Sequence, residues 1–143
     1  MNPNIITPQK ILNIADKAKN LRLLYVEDNE LARKSTLATL EIFFKEITVA
    51  VNGEEGLKYF TEQSFDVILT DISMPKMDGI EMISKIRESD ENIKIIVLSA
   101  HDDPEYFKQA TSSQVEAYLL KPINITRLVN TLEATVDMDV SKL

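Results

Sequence analysis

The stretch Leu-Arg-Leu-Leu-Tyr-Val-Glu-Asp-Asn at residues 21–29 decides the fold class. It is apolar from residue 21 to residue 26 apart from Arg22, and it ends directly at the acidic pair Glu27-Asp28. Near-continuous runs of Leu and β-branched residues are typical of strands in a parallel sheet, where helices cover both faces. We therefore predict a buried strand over residues 21–26 with acidic side chains at its carboxyl end.

Further runs of the same kind follow along the chain. Residues 66–70 end at Asp71, residues 93–98 end at Ser99, and weaker candidates lie at residues 47–51 and 117–120. Apolar residues at helical spacing separate these runs, and the clearest stripe is Ile125, Leu128, Val129, Leu132 and Val136. This alternation predicts an α/β fold, doubly wound, with a parallel sheet and right-handed crossovers.

The first twenty residues are not needed for that repeat. Thr7-Pro8 is a helix start signal, and the apolar side chains that follow share one face, so we predict that the extension at residues 1–20 is helical. The helix would either cover apolar surface of its own domain or form a dimer. Residues 21–138 would be the main domain and residues 139–143 a C-terminal tail. Because Met1 resembles a native start, we expect a stand-alone domain rather than a fragment of a longer protein.

Composition excludes several function classes. The chain has 143 residues and no cysteine, which excludes disulfides and thiolate metal sites. Its net charge of −7 argues against direct binding of nucleic acid, which requires a basic face. It has no apolar run long enough to span a bilayer and no signal-peptide layout, so we predict a cytoplasmic protein without a membrane partner.

Polar side chains stand where the predicted strands end. Glu27 and Asp28 follow the first strand, Asp71 the third, Ser99 the fourth and Lys121 the fifth. In open α/β sheets these carboxyl ends meet at the edge where ligands bind. Each residue also has a simpler interpretation, as a helix cap, a turn residue or a solvated lysine. Acids, a hydroxyl and an amine at separate strand ends nevertheless form a plausible site.

The chemistry of this set favours phosphoryl transfer. Neighbouring carboxylates repel one another, so the acidic residues would hold a hard cation, Mg²⁺ or alternatively Mn²⁺. A carboxylate such as that of Asp71 can attack phosphorus and form an aspartyl phosphate. Lys121 would supply positive charge to the transferring group, and the Ser99 hydroxyl would donate to a phosphate oxygen.

These residues lie in short motifs that resemble the receiver domains of two-component response regulators. The motifs are Val-Glu-Asp-Asn at 26–29, Asp-Ile-Ser-Met-Pro at 71–75, Asp-Gly at 78–79, Leu-Ser-Ala at 98–100 and Tyr-Leu-Leu-Lys-Pro at 118–122. The resemblance covers about residues 21–138. It implies a flavodoxin-like (CheY-like) sheet of five strands in the order 2-1-3-4-5, to which the N-terminal helix is an addition.

The resemblance also implies a role for each position. Asp71 would be the phosphoacceptor, and Lys121 would be the lysine that the family typically has at this position. Ser99 would be the switch hydroxyl and Tyr118 the switch aromatic. Asp28 would bind Mg²⁺ directly together with Asp71 and the backbone carbonyl of Ser73, and Glu27 would bind it through water. A cis peptide is expected before Pro122.

Three features have more than one interpretation or depart from the family pattern. Tyr118 has an alternative role as half-buried packing on an edge strand. His101 has an alternative role as an exposed loop residue, although in the family its position and that of Ser73 border the path of the attacking water and modulate phosphoryl lifetime. The family commonly has Gly-Ala before the last strand, where this chain reads Ser-Gln-Val-Glu-Ala at 113–117, so the preceding helix is expected to end differently.

The function implied is a phosphorylation switch rather than an enzyme with a separate substrate. A histidine kinase or histidine phosphotransfer protein would donate to Asp71, and a downstream protein that the sequence does not name would read the changed surface. Two alternatives are a Mg²⁺-dependent phosphohydrolase with an Asp nucleophile and an interaction module that works without phosphorylation. The first lacks a second acid two residues after Asp71, where Ser73 stands, and the second would be expected to lack the acceptor.

Overall fold

The structure is a computed structural model that describes residues 6–74, 76–100 and 114–140, and for residues 136–140 it describes the backbone alone. His101 and the helix predicted before the last strand lie outside the described residues. The described elements, in chain order, are α1 (Pro8–Ala18), β1 (Arg22–Val26), α2 (Glu30–Leu40), β2 (Glu46–Ala50), α3 (Gly53–Glu62), β3 (Val67–Thr70), α4 (Gly79–Ser89), β4 (Lys94–Ser99), β5 (Ala117–Leu120) and α5 (Ile125–Val140).

The strands form one parallel sheet in the order β2-β1-β3-β4-β5, which confirms the predicted architecture. Ser99 is the last residue of β4 rather than the first residue after it. The reason is that its carbonyl oxygen accepts a hydrogen bond of 2.8 Å from Lys121 N, so the β4–β5 ladder includes it. None of the helices in the described ranges is long and apolar enough to cross a membrane.

Both faces of the sheet are covered, as its continuous apolar strands require. Strand residues alternate between two apolar clusters: Leu23 and Leu69 belong to one, and Leu24 and Ile68 belong to the other. The first cluster is closed by α1, α2 and α5, and the second by α3 and α4. The sheet therefore lies between two helical layers, and its carboxyl edge is where β1, β3 and β5 deliver their polar residues.

The N-terminal extension contains the predicted helix, α1. Its start is capped as expected, because the Thr7 hydroxyl accepts from Lys10 N at 3.1 Å and Pro8 occupies the first turn. Ile14 and Ala18 are buried in the cluster shared with α5. The Lys10 ammonium also reaches α5, where it donates to Asn130 Oδ1 at 3.0 Å and pairs with Glu133. The helix thus covers apolar surface of its own domain, one of the two predicted roles, and dimerisation stays a prediction.

The segment before β5 departs from the family pattern in a defined way. Gln114 has a φ of 60°, in the left-handed region where glycine is usual. Its carbonyl accepts a hydrogen bond of 2.6 Å from Arg87 Nη2, and Arg87 also pairs with Glu116. A non-glycine residue therefore takes the conformation for which the family commonly has a glycine. At the other end of the chain, α5 continues to Val140, past the boundary predicted at residue 138.

Candidate functional site

The turn between β1 and α2 carries the acidic pair. The Glu27 side chain is only 1% exposed, and its Oε2 accepts from Asn29 N at 3.2 Å. Asn29 in turn caps α2, because its Oδ1 accepts from Ala32 N at 2.9 Å. Asp28 lies between these residues and is partly exposed. The turn therefore places one buried and one accessible carboxylate at the carboxyl edge of the sheet.

Asp71 follows β3 on the neighbouring strand. Its backbone N donates to Val26 O at 3.0 Å, which joins it to the end of β1. Its Oδ1 accepts from Ile72 N at 2.7 Å, and its carbonyl accepts from the Thr70 hydroxyl at 2.8 Å. The carboxylate is thus held by hydrogen bonds close to the acidic pair.

Gly79 supports Asp71 from behind, a role that the sequence motif alone did not reveal. It begins α4, and its N donates to Ile72 O at 2.7 Å. A Cβ at this position would lie 2.1 Å from the Asp71 carbonyl oxygen, closer than any real contact. Only glycine therefore lets the start of α4 approach the backbone of the candidate phosphoacceptor. The Asp-Gly motif indicated that a glycine matters at this position, but it did not indicate which backbone segment the glycine approaches.

Lys121 joins the two acidic strands. Its Nζ lies 3.1 Å from Asp71 Oδ2 and also pairs closely with Glu27 Oε1. The bond between Lys121 and Pro122 is cis, as predicted. Burial alone would lower the pKa of Lys121, but its hydrogen bonds to Glu27 and Asp71 raise it overall, so the ammonium stays charged at neutral pH.

The carboxylates of Glu27, Asp28 and Asp71 converge, with one oxygen from each within 4.8 Å of the others. Burial, together with the negative charge of Asp71, raises the pKa of Glu27 against the opposing effect of Lys121. The donors are all carboxylate oxygens, and the chain has no cysteine, so the set fits a hard cation such as Mg²⁺ or Mn²⁺ rather than Zn²⁺. Both Glu27 oxygens already have partners within the chain, which favours ligation through water at that residue.

The other predicted residues lie around this centre. Ser99 is fully buried at the end of β4, next in the sheet to β3, which ends before Asp71. Tyr118 is half-buried on the edge strand β5 and packs against the cluster shared with α4. Ser73 is exposed in the loop after Asp71. The packing of Tyr118 is thus observed, whereas the switch roles of Ser99 and Tyr118 and the ligand role of Ser73 stay predictions.

One side chain of the site was missed at the level of sequence. Arg33 of α2 donates from Nη1 to the carbonyl oxygens of Glu27 and Asp28, at 3.0 Å and 3.3 Å. The available signal was a basic residue near the start of the helix that follows the acidic pair, because a positive side chain is normally disfavoured near a helix N-terminus.

Comparison with known proteins agrees with this geometry. The family model described as "Response regulator receiver domain" matches residues 23–133. The chain belongs to this family. It is thus a receiver domain of the two-component signal-transduction class, whose members are signalling modules that interact with histidine kinases and phosphotransfer proteins.

Individual relatives differ in how much of their own length this receiver matches. It is 32% identical to a probable chemotaxis protein CheY of Rhizobium etli over 82% of this chain and 93% of that protein. It is 33% identical to the probable C4-dicarboxylate response regulator DctR of Bacillus subtilis, over 80% of this chain and only 52% of that protein. The chain thus matches some relatives along nearly their whole length and others along about half of it.

Solved structures are similar over most of the chain. The N-terminal domain of an uncharacterized protein from Wolinella succinogenes has a TM-score of 0.79 at 37% identity, covering 86% of this chain and 99% of that one. The receiver domain of the histidine kinase CKI1 from Arabidopsis thaliana, complexed with Mg²⁺ and BeF₃⁻, has a TM-score of 0.77 at 26% identity, covering 87% of this chain and 95% of that one.

Proposed function

We propose that Asp71 of this receiver accepts a phosphoryl group from a phosphohistidine and that the modified domain binds a partner differently. The observation that carries the proposal is the placement of the Asp71 carboxylate. It shares an acidic cluster with Asp28 on one side and contacts the Lys121 ammonium at 3.1 Å on the other. A nucleophile, a cation site and a fixed positive charge therefore meet at one point of the sheet edge.

The residues would divide the work of transfer. An Asp71 oxygen forms an O–P bond while the P–N bond of the donor breaks, and the imidazole leaves with the bonding electrons and takes up a proton. Lys121, already beside Asp71 Oδ2, would pair with a phosphoryl oxygen. Asp28, Asp71 and the Ser73 carbonyl, with Glu27 through water, would hold Mg²⁺, which when bound supplies charge stabilisation for the phosphoryl oxygens.

The response would be a shift between two populations of the domain. The Ser99 hydroxyl would donate to a phosphoryl oxygen that is present only after transfer, and Tyr118 would turn inward. The surface around β5 and α5 would change with them. Ser73 and His101 would set how quickly water removes the phosphoryl group. The chemistry of the domain would then be its own phosphorylation and slow hydrolysis.

The test is phosphorylation by a small donor. The purified protein is incubated with Mg²⁺ and acetyl phosphate, and intact mass is measured for the wild type, for Asp71→Asn and for Asp28→Asn. A parallel incubation with EDTA removes the metal ion. We expect one added phosphoryl mass on the wild type, none on Asp71→Asn and strongly slowed addition for Asp28→Asn. An unmodified wild type would contradict the proposal, and hydrolysis of a small phosphoester over many turnovers would favour a phosphohydrolase instead.

A further inference from the structure

The Arg33 guanidinium lies across the backbone of the acidic pair. Its Nη1 bridges the carbonyl oxygens of Glu27 and Asp28 from the first turns of α2. The side chain therefore binds both peptide units that carry the candidate cation ligands. The guanidinium fork is rigid and always charged, so such a bridge constrains the backbone more than a single hydrogen bond would.

Helix stability does not explain an arginine at this position. The start of α2 is already capped by the Asn29 side chain, and the Arg33 backbone N makes an ordinary helical bond of 2.8 Å to Asn29 O. A positive side chain near a helix N-terminus opposes the helix dipole. The contacts of the guanidinium with the β1–α2 turn therefore explain why an arginine occupies this position.

The choice of acceptor matters for a cation site. A guanidinium paired with the Asp28 carboxylate would occupy the oxygens that a metal ion needs. Arg33 instead binds carbonyl oxygens, so these hydrogen bonds do not occupy the Asp28 carboxylate. The arginine thus holds the turn from behind and leaves the ligand oxygens available.

We propose that Arg33 is a positioning residue for the divalent cation, holding the Glu27–Asp28 backbone so that both carboxylates converge on Asp71. The inference rests on the proposed function, because it assumes that the acidic cluster binds Mg²⁺. Residues that orient metal ligands typically change affinity by about 10- to 100-fold when they are removed. Removing Arg33 is therefore expected to weaken Mg²⁺ binding.

Charge alone predicts the opposite effect of this substitution on Mg²⁺ affinity. Loss of a positive charge near three carboxylates should make the site more attractive to Mg²⁺, by long-range electrostatics. Lys34 is the matched control: it is the next residue on α2, it is exposed, and its ammonium pairs only with Glu30 at 3.2 Å among the described contacts. Arg33→Ala and Lys34→Ala change the net charge equally, so their comparison separates positioning from charge.

The experiment is calorimetric titration of Mg²⁺ into the wild type, Arg33→Ala, Arg33→Lys and Lys34→Ala, with thermal melts in EDTA to verify folding. We expect Arg33→Ala to raise the Kd about tenfold. Lys34→Ala should leave the Kd unchanged or lower it, and Arg33→Lys should recover part of the loss. If Arg33→Ala does not fold, Arg33→Lys is the deciding variant. It should bind Mg²⁺ several-fold more weakly than the wild type, because the lysine side chain is shorter than that of arginine and its ammonium is not held in a rigid plane.

Two results would overturn the inference in distinguishable ways. A folded arginine variant that binds Mg²⁺ as tightly as the wild type, or more tightly, would remove the positioning role and leave the proposed function intact. A wild type that does not bind Mg²⁺ would overturn the metal site of the proposed function and this inference with it.

Discussion

The Glu27 carboxylate is buried beside the Lys121 ammonium, which also pairs with the Asp71 carboxylate. Burial is the largest cause of the raised pKa of Glu27, and the neighbouring Asp71 charge adds to the effect. A raised pKa in the folded state means that folding favours the protonated form. The associated stability is present below the unfolded pKa of about 4.5 and is lost as pH rises through the folded value. Ionisation of Glu27 in the folded state therefore lowers the free energy of unfolding.

Glu27→Gln should relieve this cost, because the amide resembles the protonated acid. In EDTA at pH 8 we expect the variant to be more stable than the wild type by about 1 kcal/mol, the scale of a modest rise in pKa on folding. Lys121 is not left unpaired by the substitution, because it keeps Asp71 as a partner. The difference should shrink as pH falls to 4.5 and below, where the wild type is protonated as well. Urea unfolding at several pH values measures it, and a gain independent of pH would contradict the explanation.

Gln114 carries a different local cost, in its backbone. With φ at 60°, its Cβ is crowded in a conformation that glycine adopts freely. Gln114→Gly should raise the free energy of unfolding by about 0.5–1 kcal/mol, after allowance for the greater freedom of glycine in the unfolded chain. Gln114→Ala is the control, since it removes the exposed side chain but keeps the Cβ. Equal thermal stability of the two variants would show that the conformation is not strained.

Individual site residues differed in how far the sequence could predict them. Glu27, Asp28, Asp71 and Lys121 were predicted as a group because parallel strands bring their carboxyl ends to one edge, and the structure places their side chains together. The contacts of Arg33 and Gly79 could not be predicted in this way. They depend on the angle at which a helix meets the end of a strand, which hydrophobic periodicity does not encode.

Among the helices, α1 makes the clearest case for a separate test. Ile14 is buried in the main core, whereas Leu12 on the same helix is 63% exposed. Ile14→Ala should lower the free energy of unfolding by about 2–5 kcal/mol, the range for a buried apolar side chain cut back to alanine. Leu12→Ala should change it by no more than about 0.5 kcal/mol. Chemical unfolding checks both, and similar effects would mean that α1 does not dock on the core in solution.

The strands were predictable to within one residue at each end. The strands were identified by continuous apolar runs that a sheet covered on both faces requires. For α1, the apolar stripe predicted a buried face but not what buries it, because periodicity carries no information about the partner. The contact with α5 involves residues more than one hundred positions apart, through Lys10 and Asn130, and only the folded chain reveals it.

At the scale of the whole molecule, a groove lies next to the candidate site. This groove of about 360 Å³ lies between α2 and the segment after β5, lined by Ala32, Ser35, Thr36, Thr39, Lys121, Pro122 and Ile123. Leu31, next to Ala32 on α2, is 80% exposed. A protein whose phosphohistidine reaches Asp71 must cover the rim of the site, so an exposed apolar side chain there is a candidate anchor for that protein.

A comparison of large and small donors tests this rim. Leu31→Gln keeps the helix propensity and the charge of α2 but removes the apolar side chain. We expect phosphotransfer from a phosphorylated histidine kinase to fall about tenfold, the scale of an interface residue worth about 1.4 kcal/mol. Phosphorylation by acetyl phosphate, which needs no docking surface, should stay at the wild-type rate. Leu12→Gln on the distant helix α1 should affect neither reaction. Equal losses with both donors would place the effect of Leu31 in the site itself, and unchanged transfer from the kinase would remove α2 from the docking surface.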